Sequence, residues 1–127
     1  MADLGTVTVI EETFSYVKKI AFAWLSEDGG GDAGKATLTT EESYTGEIVR
    51  LVTVPSAAPD APTDHYDVVV NDEDGNDVLM GAGADRSDTV TEQVLASSLG
   101  YVANDQLSLS ITNAGNAKKG KVYLYIR

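Results

Sequence analysis

Apolar and polar residues alternate at every second position through most of this chain, the period of a strand with one buried face. In "YVKKIAFAWL" Ile20, Phe22 and Trp24 share one face, and Ala21, Ala23 and Leu25 share the other. "EIVRLVTVP" places Ile48, Val52 and Val54 on one side and Val49 and Leu51 on the opposite one. "HYDVVV" aligns Tyr66, Val68 and Val70, and "QLSLSITN" sets Leu107, Leu109 and Ile111 against Ser108, Ser110 and Thr112. The closing "KVYLYIR" sets Val122, Leu124 and Ile126 against Tyr123 and Tyr125, and "TVTVIEE" near residue 6 follows the same rule. Phe14, Phe22 and Trp24 are the aromatic residues expected in the core.

Between these runs lie turn-forming segments, "EDGGGDAG", "PSAAPDAPTD", "NDEDGND", "GAGAD" and "NAGNAKKG". All three prolines, Pro55, Pro59 and Pro62, fall in one of them, where they do not interrupt a ladder. Short strands separated by regular turn signals predict an all-β fold: a single antiparallel β-sandwich over residues 1–127, jelly-roll or immunoglobulin-like, with little or no helix. The one weak helical candidate, residues 91–100, reads equally as a strand followed by a loop.

Composition narrows the class. The chain of 127 residues suits one domain with its own core. It has no cysteine, which removes disulfides and thiolate metal sites and suits a reducing compartment. No apolar run is long enough to span a membrane, and the start lacks the basic and apolar stretches of a secretory signal. The formal net charge of −11 opposes nucleic-acid binding, which needs a basic footprint. The charge is uneven: residues 60–92 hold Arg86 as their only base among many acids, whereas residues 93–127 hold Asp105 as their only acid.

Several stretches imitate chemical motifs. In "VVVNDEDGNDVLMG", aligning Gly75 to the sixth position of a calcium loop leaves Val70 and Gly81 where carboxylates are required. The Asp74–Gly75 pair reads instead as a hairpin turn, with a loose calcium contact through Asp72, Asp74 and Asp77 as the alternative. "GGGDAGKA" matches a phosphate loop through Gly29, Gly34 and Lys35, yet Ala36 replaces the magnesium-binding hydroxyl and no helix is expected to follow. "GAGADR" carries Arg86 where a dinucleotide fingerprint needs its third glycine. His65 is the only histidine and is expected at the surface. No catalytic residue, metal ligand or cofactor is therefore assigned, and the chain is expected not to be an enzyme.

The last strand is the favoured contact surface. One of its faces must meet the core, and the other presents Tyr123 and Tyr125, a residue type suited to interfaces. Lys118, Lys119, Lys121 and Arg127 are the basic residues expected to meet an acidic partner patch beside them.

The stretches "SYTGEIVRLVTVP", "PTDHYDVVVNDEDGNDVLMGAGADRSDTVTEQV" and "LSLSITNAGNAKKGKVYLYIR" resemble small structural proteins of tailed bacteriophages. The resemblance covers nearly the whole chain and rests on strand pattern and phrasing, with no catalytic signature. It implies a β-sandwich virion protein, assembled in the host bacterial cytoplasm and located on the head surface as a capsid decoration (cement) protein. Its partners would be the major capsid protein and copies of itself, with a homotrimer favoured, and neither nucleic acid nor membrane. A tail, baseplate or fibre-associated module is the alternative within that group, and a carbohydrate- or receptor-binding β-sandwich lies outside it.

Overall fold

The computed structural model describes residues 5–127; residues 1–4, the first part of the segment read for a targeting signal, lie outside the described residues. The fold is all-β, with two antiparallel sheets packed as a sandwich. The larger sheet runs β1 (Thr6–Phe14), β2 (Val17–Leu25), β9 (Lys119–Ile126), β4 (Tyr44–Pro55), β6 (Glu92–Leu95), and β7 (Tyr101–Asp105) also pairs with β4. The smaller sheet runs β3 (Ala36–Thr39), β8 (Ser108–Thr112), β5 (Asp67–Asn71). The ambiguous segment at 91–100 resolves into strand β6 followed by a single 3-10 turn, Ala96–Ser98. Among the described residues no helix is long and apolar enough to cross a membrane.

The predicted inner faces form the core. Ile20, Phe22 and Trp24 of β2 lie beside Val122, Leu124 and Ile126 of β9, and Tyr66, Val68, Val70, Leu109 and Ile111 face them from the smaller sheet. Trp24 and Tyr66 meet across the sandwich with ring centroids 5.5 Å apart in a tilted arrangement. Trp24 fits because its cross-strand neighbour is Gly120: a Cβ there would lie 2.5 Å from indole Cζ2.

Two expectations are corrected. In β4 the inward residues are Ile48, Leu51 and Thr53, so Ile48 does not share a face with Val52 and Val54. The pairing with β9 jumps from Ile48↔Ile126 to Arg50↔Tyr125, so Val49 is an extra residue and every side chain after it changes face. Leu51 then opposes Leu124 inside, and Val52 opposes Tyr123 outside. Phe14, expected in the core, is 56% exposed, because the even-numbered residues of β1 share the outer face.

The turn around Gly75 forms, but no second strand follows it. Asp72 accepts the backbone N–H groups of Asp74 and Asn76 at 3.0 and 2.9 Å, and a single bridge joins Asn71 to Asp77. Asp77 in turn accepts the N–H groups of Leu79 and Gly81 at 3.0 and 2.9 Å. These carboxylates shape turns by capping backbone donors.

Gly120→Ala is expected to destabilise the fold by about 1–3 kcal/mol, since neither the Trp24 ring nor the β9 backbone can yield freely. Equilibrium denaturation checks this; an unchanged midpoint would show that the indole relocates without cost.

Candidate functional site

The period of two that buries Val122, Leu124 and Ile126 turns Lys119, Lys121, Tyr123, Tyr125 and Arg127 outward as one row. Lys118 is not part of that row. Its backbone N–H donates to Ser26 Oγ at 2.8 Å and its Nζ to the Pro59 carbonyl at 3.0 Å, which ties it to the loops at one end of the sandwich. The structure therefore brings together five of the six residues expected at the contact surface.

Three residues join this row that sequence reasoning did not assign. Lys19 and Ala21 of β2 pair with Tyr125 and Tyr123 on one side, and Arg50 of β4 pairs with Tyr125 on the other. Lys19 Nζ stands 5.1 Å from the Tyr123 ring centroid and 5.9 Å from that of Tyr125, and Arg50 Cζ lies 5.2 Å from the Tyr125 ring. Cations over aromatic faces hold their position through the ring quadrupole. Arg50 is steadied further by Gln93 Oε1, which accepts from its Nε at 3.0 Å and its Nη2 at 2.6 Å. Val52, only 6% exposed, lies between Tyr123 and Gln93.

The outcome is a face with five of the chain's nine basic residues: Lys19, Arg50, Lys119, Lys121 and Arg127. Cross-strand pairing brings Glu12 and Glu47 to the same side, beside Lys19 and Arg127. Among the described residues the ion pairs are Lys35–Asp32, His65–Asp64 and Arg86–Glu92, so none of the five cations has a carboxylate within 4.0 Å. Leu95 and Tyr101 stand exposed at the β4 margin of the face, and Ile10 at the β1 margin. A shallow depression of about 150 Å³ separates Ile10 from Tyr123 where Ala21 and Ala23 leave the sheet bare.

The other sequence candidates lie elsewhere. Residues 29–34 form turns leading into β3, and His65 is at the surface 3.4 Å from Asp64. Among the described residues no group of three or more His, Cys, Asp or Glu side chains is arranged to hold a metal ion. A cleft of about 410 Å³ is lined by Glu11, Glu12, Glu41, Glu42, Lys18 and Tyr44. Glu11 is consumed there: it accepts the N–H groups of Glu41 and Glu42 at 3.1 Å each and the Tyr44 hydroxyl at 2.6 Å. Burial and the adjacent Glu11 carboxylate together push the Tyr44 phenol far above its ordinary range.

No family model, curated protein or solved structure matches the chain.

Tyr66 supplies the pH dependence. Burial pushes its phenol from 10.0 up to about 12, opposed by the nearby Thr53 hydroxyl and Arg86. The Tyr66 and Thr53 hydroxyls are both buried and reach no partner in hydrogen-bond geometry. Below pH 10 both folded and unfolded states keep this proton, and the group contributes no slope. From pH 10 to about 12 only the unfolded chain releases it, so stability falls as pH rises. Tyr66→Phe is expected to be neutral or stabilising at pH 7, because the buried hydroxyl has no bond to lose. It should also remove about 1–3 kcal/mol of the alkaline decline. Urea denaturation of both proteins at pH 7, 10 and 11.5 checks this, and parallel declines would refute it.

Proposed function

We propose that the protein is a non-enzymatic structural module that docks onto an acidic surface through the outer face of its larger sheet. The observation that carries this reading is the set of five cations without carboxylate partners among the described residues, gathered on one tyrosine-rich face of a chain whose formal net charge is −11. Such a face attracts an acidic partner over distance and offers Tyr123 and Tyr125 for close contact, while the acidic remainder repels nucleic acid.

Joined to the resemblance to tailed-phage structural proteins, the reading becomes specific. The chain is a capsid decoration protein on the virion head, its partner an acidic patch of the major capsid protein. It reinforces the shell by binding the closed lattice in preference to dispersed subunits, which shifts the assembly equilibrium by mass action. The alternative of a glycan-binding sandwich is less favoured, since Trp24, the only tryptophan, is buried against Gly120 and Tyr66.

Reversing Lys119 and Lys121 to Glu is expected to weaken co-sedimentation with emptied heads by at least about tenfold. Lys118→Glu, off the face, is expected to leave it unchanged, and added salt should weaken the parent protein's binding. Equal binding by the double variant would overturn the docking face. A parent protein that stays in the supernatant would overturn the capsid reading.

A further inference from the structure

β1 is a long sheet edge whose only charged residues are Glu11 and Glu12; Glu11 is held by the Glu41 and Glu42 N–H groups and the Tyr44 hydroxyl, and Glu12 lies on the outer face. It pairs with β2 over all nine of its residues in one unbroken register, and among the described residues no backbone hydrogen bond joins its other edge to anything. Unpaired edges template further pairing, and proteins commonly blunt them with short strands, bulges, prolines, charged side chains (lysine above all) or a covering loop. The other edges here follow that practice. β3 and β6 have four residues each. β7 pairs irregularly with β4 and carries Asn104 at φ 55°. The free side of β5 is closed by the loop at 77–86, through Val78 N–H to the Val70 carbonyl, Val68 N–H to Gly83 and Arg86 N–H to Tyr66, at 2.7–2.8 Å. β1 has no proline, glycine, lysine or bulge, and its outer row exposes Ile10 at 62% and Phe14 at 56%.

We propose that β1 pairs antiparallel with β1 of a second copy, about a two-fold axis at Ile10. Three features select a second copy and this register. Ile10 is the midpoint of Thr6–Phe14, so centring there pairs all nine residues of each strand. Thr8 then opposes the partner copy's twelfth residue, a glutamate, and Val9 opposes its eleventh, so no carboxylate faces another; centring on Glu11 or Glu12, or parallel in-register pairing, sets like charges opposite each other. Centring on Val9 leaves Phe14 and Thr13 overhanging. Pairing residues of equal parity also keeps each copy's core side facing inward.

The axis stands perpendicular to the larger sheet, so the two docking faces point the same way. This consequence rests on the proposed docking function: a two-fold pair presents two basic faces at once and bridges adjacent capsid subunits, with a two-fold in place of the three-fold symmetry that the resemblance implies. The pairing itself stands independently of the capsid.

Cysteine is absent from the chain, which makes cross-linking a direct readout of register. Opposed residues in antiparallel strands fall within disulfide reach. Ile10→Cys is expected to oxidise to a species of twice 13.4 kDa. Thr8→Cys and Glu12→Cys are expected to cross-link only when mixed with each other. Ile10→Lys, placing two ammonium groups together at an exposed position, is expected to run at 13.4 kDa by light scattering while keeping the parent's far-ultraviolet circular dichroism. A parent protein that stays at 13.4 kDa across concentrations, a mass of three chains, or failure of Ile10→Cys to cross-link would overturn the pairing. A parent pair that forms but does not sediment with heads would instead overturn the docking function.

Discussion

The burial of one side of β9 is the constraint from which the rest follows. This final strand enters the middle of the larger sheet, between β2 and β4, and commits Val122, Leu124 and Ile126 to the core. A strand has a period of two, so that commitment turns two lysines, two tyrosines and an arginine outward in one line. Its neighbours complete both sides at once. Inside, Gly120 leaves room for Trp24, which reaches Tyr66 on the opposite sheet. Outside, Lys19 and Arg50 come to rest over the tyrosines.

Gathering five like charges on one face carries an electrostatic cost that the fold offsets only locally. Ring quadrupoles and the Gln93 amide hold Lys19 and Arg50, but among the described residues no carboxylate closes on any of the five. Several acids of the chain are engaged elsewhere, capping backbone N–H groups, as Glu11, Asp72 and Asp77 do. Turn formation and surface charge are thus linked: the carboxylates that shape loops are unavailable to neutralise the sheet, and the molecule acquires a dipolar surface from its loop chemistry.

Much of the fold was legible in the sequence because a half-buried strand writes its period into the side chains. β2, β5, β8 and β9 bury the residues that alternation predicts. β4 departed from the prediction for a local reason: the extra residue at Val49 reverses the faces beyond it, and "EIVRLVTVP" is apolar on both sides, so no polar residue marks the reversal. Phe14 departed because apolar character alone does not say which side of an edge strand is covered. The candidate face was legible only along β9; Lys19 and Arg50 lie far from it in sequence and reach it through pairing.

By itself, then, the sequence determined the class of fold, the turns, the absence of thiol chemistry and the amphipathic character of the closing strand, all of which depend on residue type and short-range spacing. Tertiary structure alone decided the strand order, the bulge in β4, the removal of Lys118 from the basic row and the convergence of cations from β2, β4 and β9 on a single face. The physical reason is the range of the information. Alternation specifies that a strand has two sides, but which strands lie beside one another is set by the packing of the whole core, where distant residues compete for the same buried positions.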